Sequence, residues 1–229
     1  MSVFVIADLH LSHGADKPMD VFGAKWENHT ERLRENWLNT VSEEDTVMII
    51  GDISWGLRFE NAVDDLGFIH SLPGKKIISK GNHDLWWQSA KKLNEYKAAS
   101  GADSISFLYN NAYYAEGIIF CGTRGWVDEE NACEKDKKII AREAGRLNLS
   151  MMQALALNQE HPEAEIICFI HYPPTQSLTE IMRANGVRRC YFGHLHGVHK
   201  ESVPQHMGGI EVHLVAADYI GFRPVKIKE

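Results

Sequence analysis

Short apolar runs rich in β-branched residues recur along the chain, and each stops on polar residues of a restricted kind. Residues 3–7 stop at Asp8-Leu9-His10, and 47–50 at Gly51-Asp52. Residues 76–80 stop at Gly81-Asn82-His83-Asp84, 166–170 at His171, and 190–192 at Gly193-His194-Leu195-His196. Continuous runs of this length predict strands buried on both faces, because a half-exposed strand would alternate. Between them the period changes. Trp26, Thr30, Leu33, Trp37 and Val41 predict a helix over 25–41, following a polar, Gly- and Pro-containing loop at 11–24. Phe59, Val63, Leu66 and Ile69 predict another over 59–71, stopped by Leu72-Pro73-Gly74. With strands at 2–7, 46–50 and 75–79, this strand–helix alternation predicts right-handed crossovers and a parallel sheet.

The grammar then shifts. After a helix at 87–99, runs at 104–109, 112–116 and 117–122 are separated by Asn110-Asn111 and Glu116-Gly117, which predicts antiparallel hairpins. A loop at 123–134 leads to a long amphipathic helix, or two, over 135–160, whose Met and Leu stripe is read as core. Leu178, Ile181 and Met182 predict a short helix closed by Asn185-Gly186. Strands at 166–170, 188–192, 210–216 and 225–228 are expected to complete a second sheet. With no repeat, low-complexity tract or linker, residues 1–229 are expected to form a single α/β domain.

Composition narrows the class. A chain of 229 residues, 44% hydrophobic and 24% charged, is an ordinary globular sequence. Its formal charge of −7 speaks against an extended nucleic-acid surface, which needs Lys and Arg to neutralise phosphates. None of the four cysteines pairs as Cys-x-x-Cys, and Cys168 and Cys190 lie inside apolar runs, which fits a reducing compartment. No uncharged apolar stretch reaches the ~18 residues of a membrane span, and no basic leader precedes the first strand. The expectation is a cytoplasmic protein without membrane contact. Oligomeric state has no sequence signal.

Parallel strands deliver their C-terminal ends to one edge, so the polar signals can converge although up to 188 positions separate them. Leaving His83 aside, they offer two carboxylates, one amide oxygen and four imidazoles, with no thiolate. Mixed N/O donors suit divalent first-row ions and Fe(III). Seven ligands exceed what one catalytic metal uses, since such a metal keeps a position open. They suit two ions, with one carboxylate bridging and a hydroxide shared between them, the arrangement used for in-line displacement at phosphorus. In Asp8-x-His10 and His194-x-His196, extended backbone would point i and i+2 the same way.

The set Asp-Leu-His, Gly-Asp, Gly-Asn-His-Asp, a lone His, then Gly-His-Leu-His resembles the calcineurin-like metallophosphoesterase superfamily, in phosphohydrolases of bacterial type. The motifs stand in the family's order across residues 8–196. The resemblance implies a four-layer α/β-β/α sandwich of two mixed sheets flanked by helices. It implies that Asp8, His10 and His196 bind one ion, that Asn82, His171 and His194 bind the other, and that Asp52 bridges. It implies two divalent or trivalent ions, Mn²⁺ and/or Fe first, with Zn²⁺ or Ni²⁺ as alternatives. His83 would be the proton donor to the leaving alkoxide, oriented by Asp84.

Other residues weigh against bland readings. His29, His70, His161, His206 and His213 are read as surface or core. His13 and His199, within three residues of a metal motif, are candidates to touch substrate or to stand behind the metal ligands. Trp55 and Trp86-Trp87 would either stack on a base or aryl leaving group or pack between loops and helices. Arg124, in a Gly-flanked turn, would either hold a phosphate bidentately or form a salt bridge. The leading function is a phosphohydrolase acting on a phosphomonoester or phosphodiester of a small molecule. The alternatives are a nuclease and, behind it, a non-catalytic scaffold, which the complete set of ligands disfavours.

Overall fold

The computed structural model describes residues 1–127, 130 and 132–227. Strands β1 (Val3–Ala7), β2 (Thr46–Ile50), β3 (Lys75–Ser79) and β4 (Ile105–Leu108) run parallel in one sheet. Helices α1 (His29–Leu38), α2 (Phe59–Ser71) and α3 (Ala90–Ser100) connect them in turn. In the second sheet β6 (Ile118–Thr123), β7 (Glu165–Ile170), β8 (Arg189–Phe192) and β10 (Ile210–Leu214) are parallel, and β5 (Tyr113–Ala115) and β9 (His206–Met207) pair antiparallel at its edges. Helices α4 (Glu134–Glu160) and α5 (Gln176–Ala184) link β6 to β7 and β7 to β8. The 135–160 pattern is thus one continuous helix.

Why the runs are apolar throughout follows from the packing. Along β1, Val3, Val5 and Ala7 face the second sheet, where they meet Ile118, Phe120, Ile167 and Phe169. Phe4 and Ile6 face the other way, against a layer that includes Leu33 and Trp37 of α1 and Leu66 and Ile69 of α2. On the far side Cys121, Cys168 and Cys190 of the second sheet pack in one core with Leu147 and Met151 of α4. Strand side chains alternate between faces, so a strand buried on both needs apolar residues at every position. The result is the expected four-layer sandwich of two mixed sheets.

Three segments differ from the sequence reading. Residues 104–109 form no hairpin: β4 is the parallel edge of the first sheet, because α3 supplies a full crossover. Asn110, at φ 62°, and Asn111, whose Oδ1 accepts the Tyr109 N–H at 2.6 Å, instead carry the chain to the second sheet. The Glu116-Gly117 turn does close a hairpin, β5–β6, with both residues at positive φ as a type I′ turn requires. The last strand, β11 (Val225–Lys226), pairs antiparallel with β1 in the first sheet, not the second. The chain crosses back beforehand, where Ala217 N donates to Ala7 O at 2.9 Å. Lys228 of the expected strand lies outside the described residues. The 25–41 helix is shorter than its periodicity, since Asn28 at φ 50° separates a 3₁₀ turn at Ala24–Trp26 from α1.

Candidate metal centre

All five signals arrive at one edge of the sandwich. Asp8 and His10 follow β1, Asp52 follows β2, and Asn82 and His83 follow β3. The second sheet contributes His171 after β7 and His194 and His196 after β8. The chain turns at once on leaving the strands. Asp8 (φ 58°), His10 (47°), Asp52 (48°) and His194 (68°) all adopt left-handed backbone, an uncommon state for residues with a Cβ. The paired ligands in Asp-x-His and His-x-His therefore converge through tight turns and not through the extended pleat expected from their spacing. Such strain persists where surroundings enforce it, and it concentrates at functional sites. The glycines leave room: a Cβ on Gly81 would stand 2.1 Å from Asp52 Oδ1, and one on Gly193 2.3 Å from Asp8 Oδ2.

Two ligand groups result, Asp8–His10–His196 and Asp52–His171–His194, each with its donor atoms within 4.8 Å of one another. In the first, His10 Nε2 faces His196 Nε2 at 3.2 Å, and Asp8 Oδ1 lies 4.0 Å from His196 Nε2. In the second, Asn82 Oδ1 lies 2.6 Å from His171 Nε2 and 2.9 Å from His194 Nδ1. Asp52 Oδ2 stands between the groups, 3.8 Å from His10 Nε2 and 3.4 Å from His171 Nε2.

Electrostatics fit a cationic occupant. Asp8 is fully buried; its Oδ2 accepts the His194 N–H at 2.9 Å, and its Oδ1 has no hydrogen-bond partner. Burial and the neighbouring Asp52 push its carboxyl well above the usual range. Burial, then Asp84, pushes Asp52 up to about 8. Burial pulls His10 and His171 well down and His194 down to about 4, which leaves imidazoles with free lone pairs. Two buried carboxylates, one with an unpaired oxygen at Asp8 Oδ1, beside imidazoles whose pKa is lowered are a donor set that divalent ions satisfy.

Asp84 does not touch the His83 imidazole. Its buried carboxylate accepts four N–H groups: Gly81 N (2.7 Å), Ile53 N (2.9 Å), Ser54 N (3.2 Å) and Trp86 Nε1 (2.9 Å). It clamps the loop after β2 to the loop after β3. His83 is placed instead by its backbone N–H, which donates to Asp52 Oδ1 at 2.8 Å, and by Trp55, whose ring lies 4.5 Å from its own. Burial, then Lys17 and His196, lowers the His83 pKa.

Of the remaining candidates Trp55 stays at the site: it stacks on His10 at 4.9 Å and meets His83 at 4.5 Å, while the Lys17 ammonium sits 4.2 Å from its ring. The others scatter. Trp86 and Trp87 are core. His13 is tied to the buried Asp65, 2.7 Å from Nδ1 to Oδ1, and leans on Phe68. The His199 carbonyl accepts Ser202 N and Oγ in a 3₁₀ turn. Arg124 pairs with the buried Glu143 at 3.4 Å and lies over Trp126. Its place is a small recess shared with Lys80 and Arg146. One contributor lies outside the sequence motifs. Asp218 Oδ1 is 2.8 Å from His196 Nδ1, and Oδ2 accepts Gly197 N at 2.9 Å. Its signal is present in the sequence, because Leu214-Val215-Ala216-Ala217 is one more short apolar run ending on a carboxylate.

Imidazole and carboxylate groups thus converge at the shared edge of a two-sheet sandwich, in two clusters that could each hold a metal ion. Residues 1–198 match the calcineurin-like phosphoesterase family, and the chain belongs to that family. The Gene 66 protein of Mycobacterium phage L5 is 36% identical over 78 residues, 34% of this chain and 37% of the phage protein. The match thus spans little more than a third of that relative's length. TT1561 of Thermus thermophilus shares the fold with a TM-score of 0.58 at 10% identity, covering 98% of this chain and 96% of that one. AQ665 of Aquifex aeolicus, a protein of unknown function, gives 0.53 at 17%, covering 98% and 95%. Among the described residues no helix is long and apolar enough to cross a membrane.

Proposed function

We propose that the chain hydrolyses a phosphomonoester or phosphodiester of a small molecule at a dinuclear metal centre. The observation that carries this reading is the position of Asp52 Oδ2 within reach of an imidazole of each candidate group, 3.8 Å from His10 Nε2 and 3.4 Å from His171 Nε2. Asp8, His10 and His196 would hold one ion, Asn82, His171 and His194 the other, and Asp52 both. The N/O donor set favours Mn²⁺ and/or Fe, with Zn²⁺ or Ni²⁺ as alternatives. Such ions supply positive charge for the phosphoryl oxygens and lower the pKa of the attacking water. The chain's own residues do the rest. His83 is exposed in the cleft beside the centre, where it gives a proton to the departing oxygen. Trp55 and the Asp52–His83 hydrogen bond hold it there, and Asp84 fixes the two loops that carry them. The four free cysteines support the cytoplasm as the site of action.

The test is metal-reconstituted turnover on phosphate esters of graded leaving-group acidity. His83→Ala is expected to slow poor leaving groups by about 10²–10⁴-fold and good ones far less. Equal loss across the series would contradict the proton-donor role. Full activity after chelation would sink the metal reading, and a preference for DNA or RNA over small esters would move the substrate to nucleic acid.

A further inference from the structure

The metal ligands form only the floor of a much larger cleft of about 760 Å³. That is the size of pockets that enclose whole small molecules, and far more than a phosphoryl group and a short alcohol need. Nearly half of its lining comes from one stretch, residues 17–26, and that stretch is mostly apolar. Met19 and Trp26 are buried in its base. Met19 Sδ accepts the Trp55 Nε1–H at 3.0 Å, and Trp26 packs edge-on against both His10 and His196. Phe22 lines the same cleft with its residue 57% exposed, an apolar ring left in water. Two ammonium groups, Lys17 and Lys25, line it as well, on a chain whose formal charge is −7.

The geometry points to a substrate whose leaving group carries a bulky apolar body and a second anionic group, seated between Phe22, Lys17 and Lys25. This rests on the hydrolytic reading above. His83 lines the same cleft, so a group that departs within its reach must occupy that space. Burial of the body covers Phe22, and the two lysines select for the additional negative charge. An aromatic body and an alkyl chain share this chemistry.

Binding of non-hydrolysable phosphonates to the Mn²⁺-loaded full chain tests the assignment, read by the fluorescence of Trp26 and Trp55. Naphthyl and octyl phosphonates are compared with methyl phosphonate, and naphthyl phosphonate with its sulfonate-bearing form. At least one of the two large ligands is expected to bind about tenfold or more tighter than methyl phosphonate. Preference for naphthyl assigns a planar body and preference for octyl a chain; either supports the cleft. Phe22→Ala, at an exposed position outside the hydrophobic cores, should remove most of that advantage and leave methyl phosphonate unchanged. The sulfonate should add about fivefold, lost in Lys17→Ala or Lys25→Ala. Equal binding of large and small phosphonates, or an equal effect of Phe22→Ala on both, overturns the proposal. Selective binding without turnover of the matching phosphate esters would instead sink the hydrolytic reading.

Discussion

Asp52 gives each carboxylate oxygen a separate task. Oδ1 accepts the His83 N–H, and Oδ2 faces both ligand groups. In the metal-free chain its pKa is raised to about 8, against an ordinary 3.8. The folded state then holds this proton more tightly than the unfolded one, so its contribution to stability is present below about pH 4 and is lost as pH rises through 8. Urea midpoints in chelator should therefore fall across pH 4–8, and Asp52→Asn should flatten that slope. An unchanged slope in the variant would contradict it. Bound cations reverse the trend, since ligands must be deprotonated to bind. Asp218 acts on the site one residue removed. Its hydrogen bond to His196 Nδ1 leaves Nε2 turned toward His10 and Asp8. Asp218→Asn is expected to weaken Mn²⁺ binding by about 10–100-fold in calorimetric titration, with the fold's melting temperature in chelator little changed. The candidate ligand residues are legible because residue types that can bind a metal recur where apolar runs stop. Asp218 obeys the same rule, but it stands beyond the last motif and so escapes a reading built on motifs. That Asp84 accepts from Ile53 N and Ser54 N is not legible, because hydrogen bonds across 30 or more positions leave no local pattern.

At the scale of elements, what can be read and what cannot divide along a physical line. The boundaries of β2, α2 and β3 match the periodic pattern residue for residue, because each is buried on the faces that the pattern marks. Partner choice for β4 and β11 differs from the sequence expectation, because pairing depends on which sheet has an open edge, and nothing local to residues 104–109 or 225–228 encodes that. Lys76 illustrates a buried polar residue with a structural task. Its side chain reaches under the end of α2, where Nζ donates to the carbonyls of His70 (3.4 Å), Leu72 and Gly74 (2.7 Å). Trp37 Nε1 donates to Pro73 O at 3.0 Å, so the α2–β3 turn is held from two sides. Lys76→Met is expected to destabilise the fold by about 2–4 kcal/mol, since it leaves buried carbonyls unpaired. Burial pulls Lys76 down to about 8 from 10.5. The unfolded chain therefore holds this proton to higher pH than the folded one, and the wild type gains stability as pH rises from 8 to 10.5. The deficit of the variant in denaturant titrations should widen over that interval; a constant deficit would count against the buried ammonium.

Across the whole molecule, the two sheets meet at the ligand edge through backbone as well as side chains. Ala7 N donates to Val215 O at 2.9 Å, and Ala217 N returns to Ala7 O. Each ligand group draws on both sheets: Asp8 and His10 with His196, and Asp52 with His171 and His194. An occupant of either group would therefore brace one sheet against the other. Mn²⁺ added to the chelated protein should slow amide exchange in β2 and β7 together, since ligand binding stabilises the state that contains the complete site. Slowing confined to one sheet would show that the groups do not share an occupant across the interface.

That division of ligands has a consequence for synthesis. Neither group is complete until the chain has been made through residue 194 or 196, although the first donor is residue 8. Strands β1–β4 are made before any strand of the second sheet, and they carry only part of each group. A chain halted anywhere before the last motif carries at most part of each group. Under the hydrolytic reading proposed above, aborted translation products are therefore expected to be inert toward phosphoesters, because the motifs that complete both candidate groups are made last.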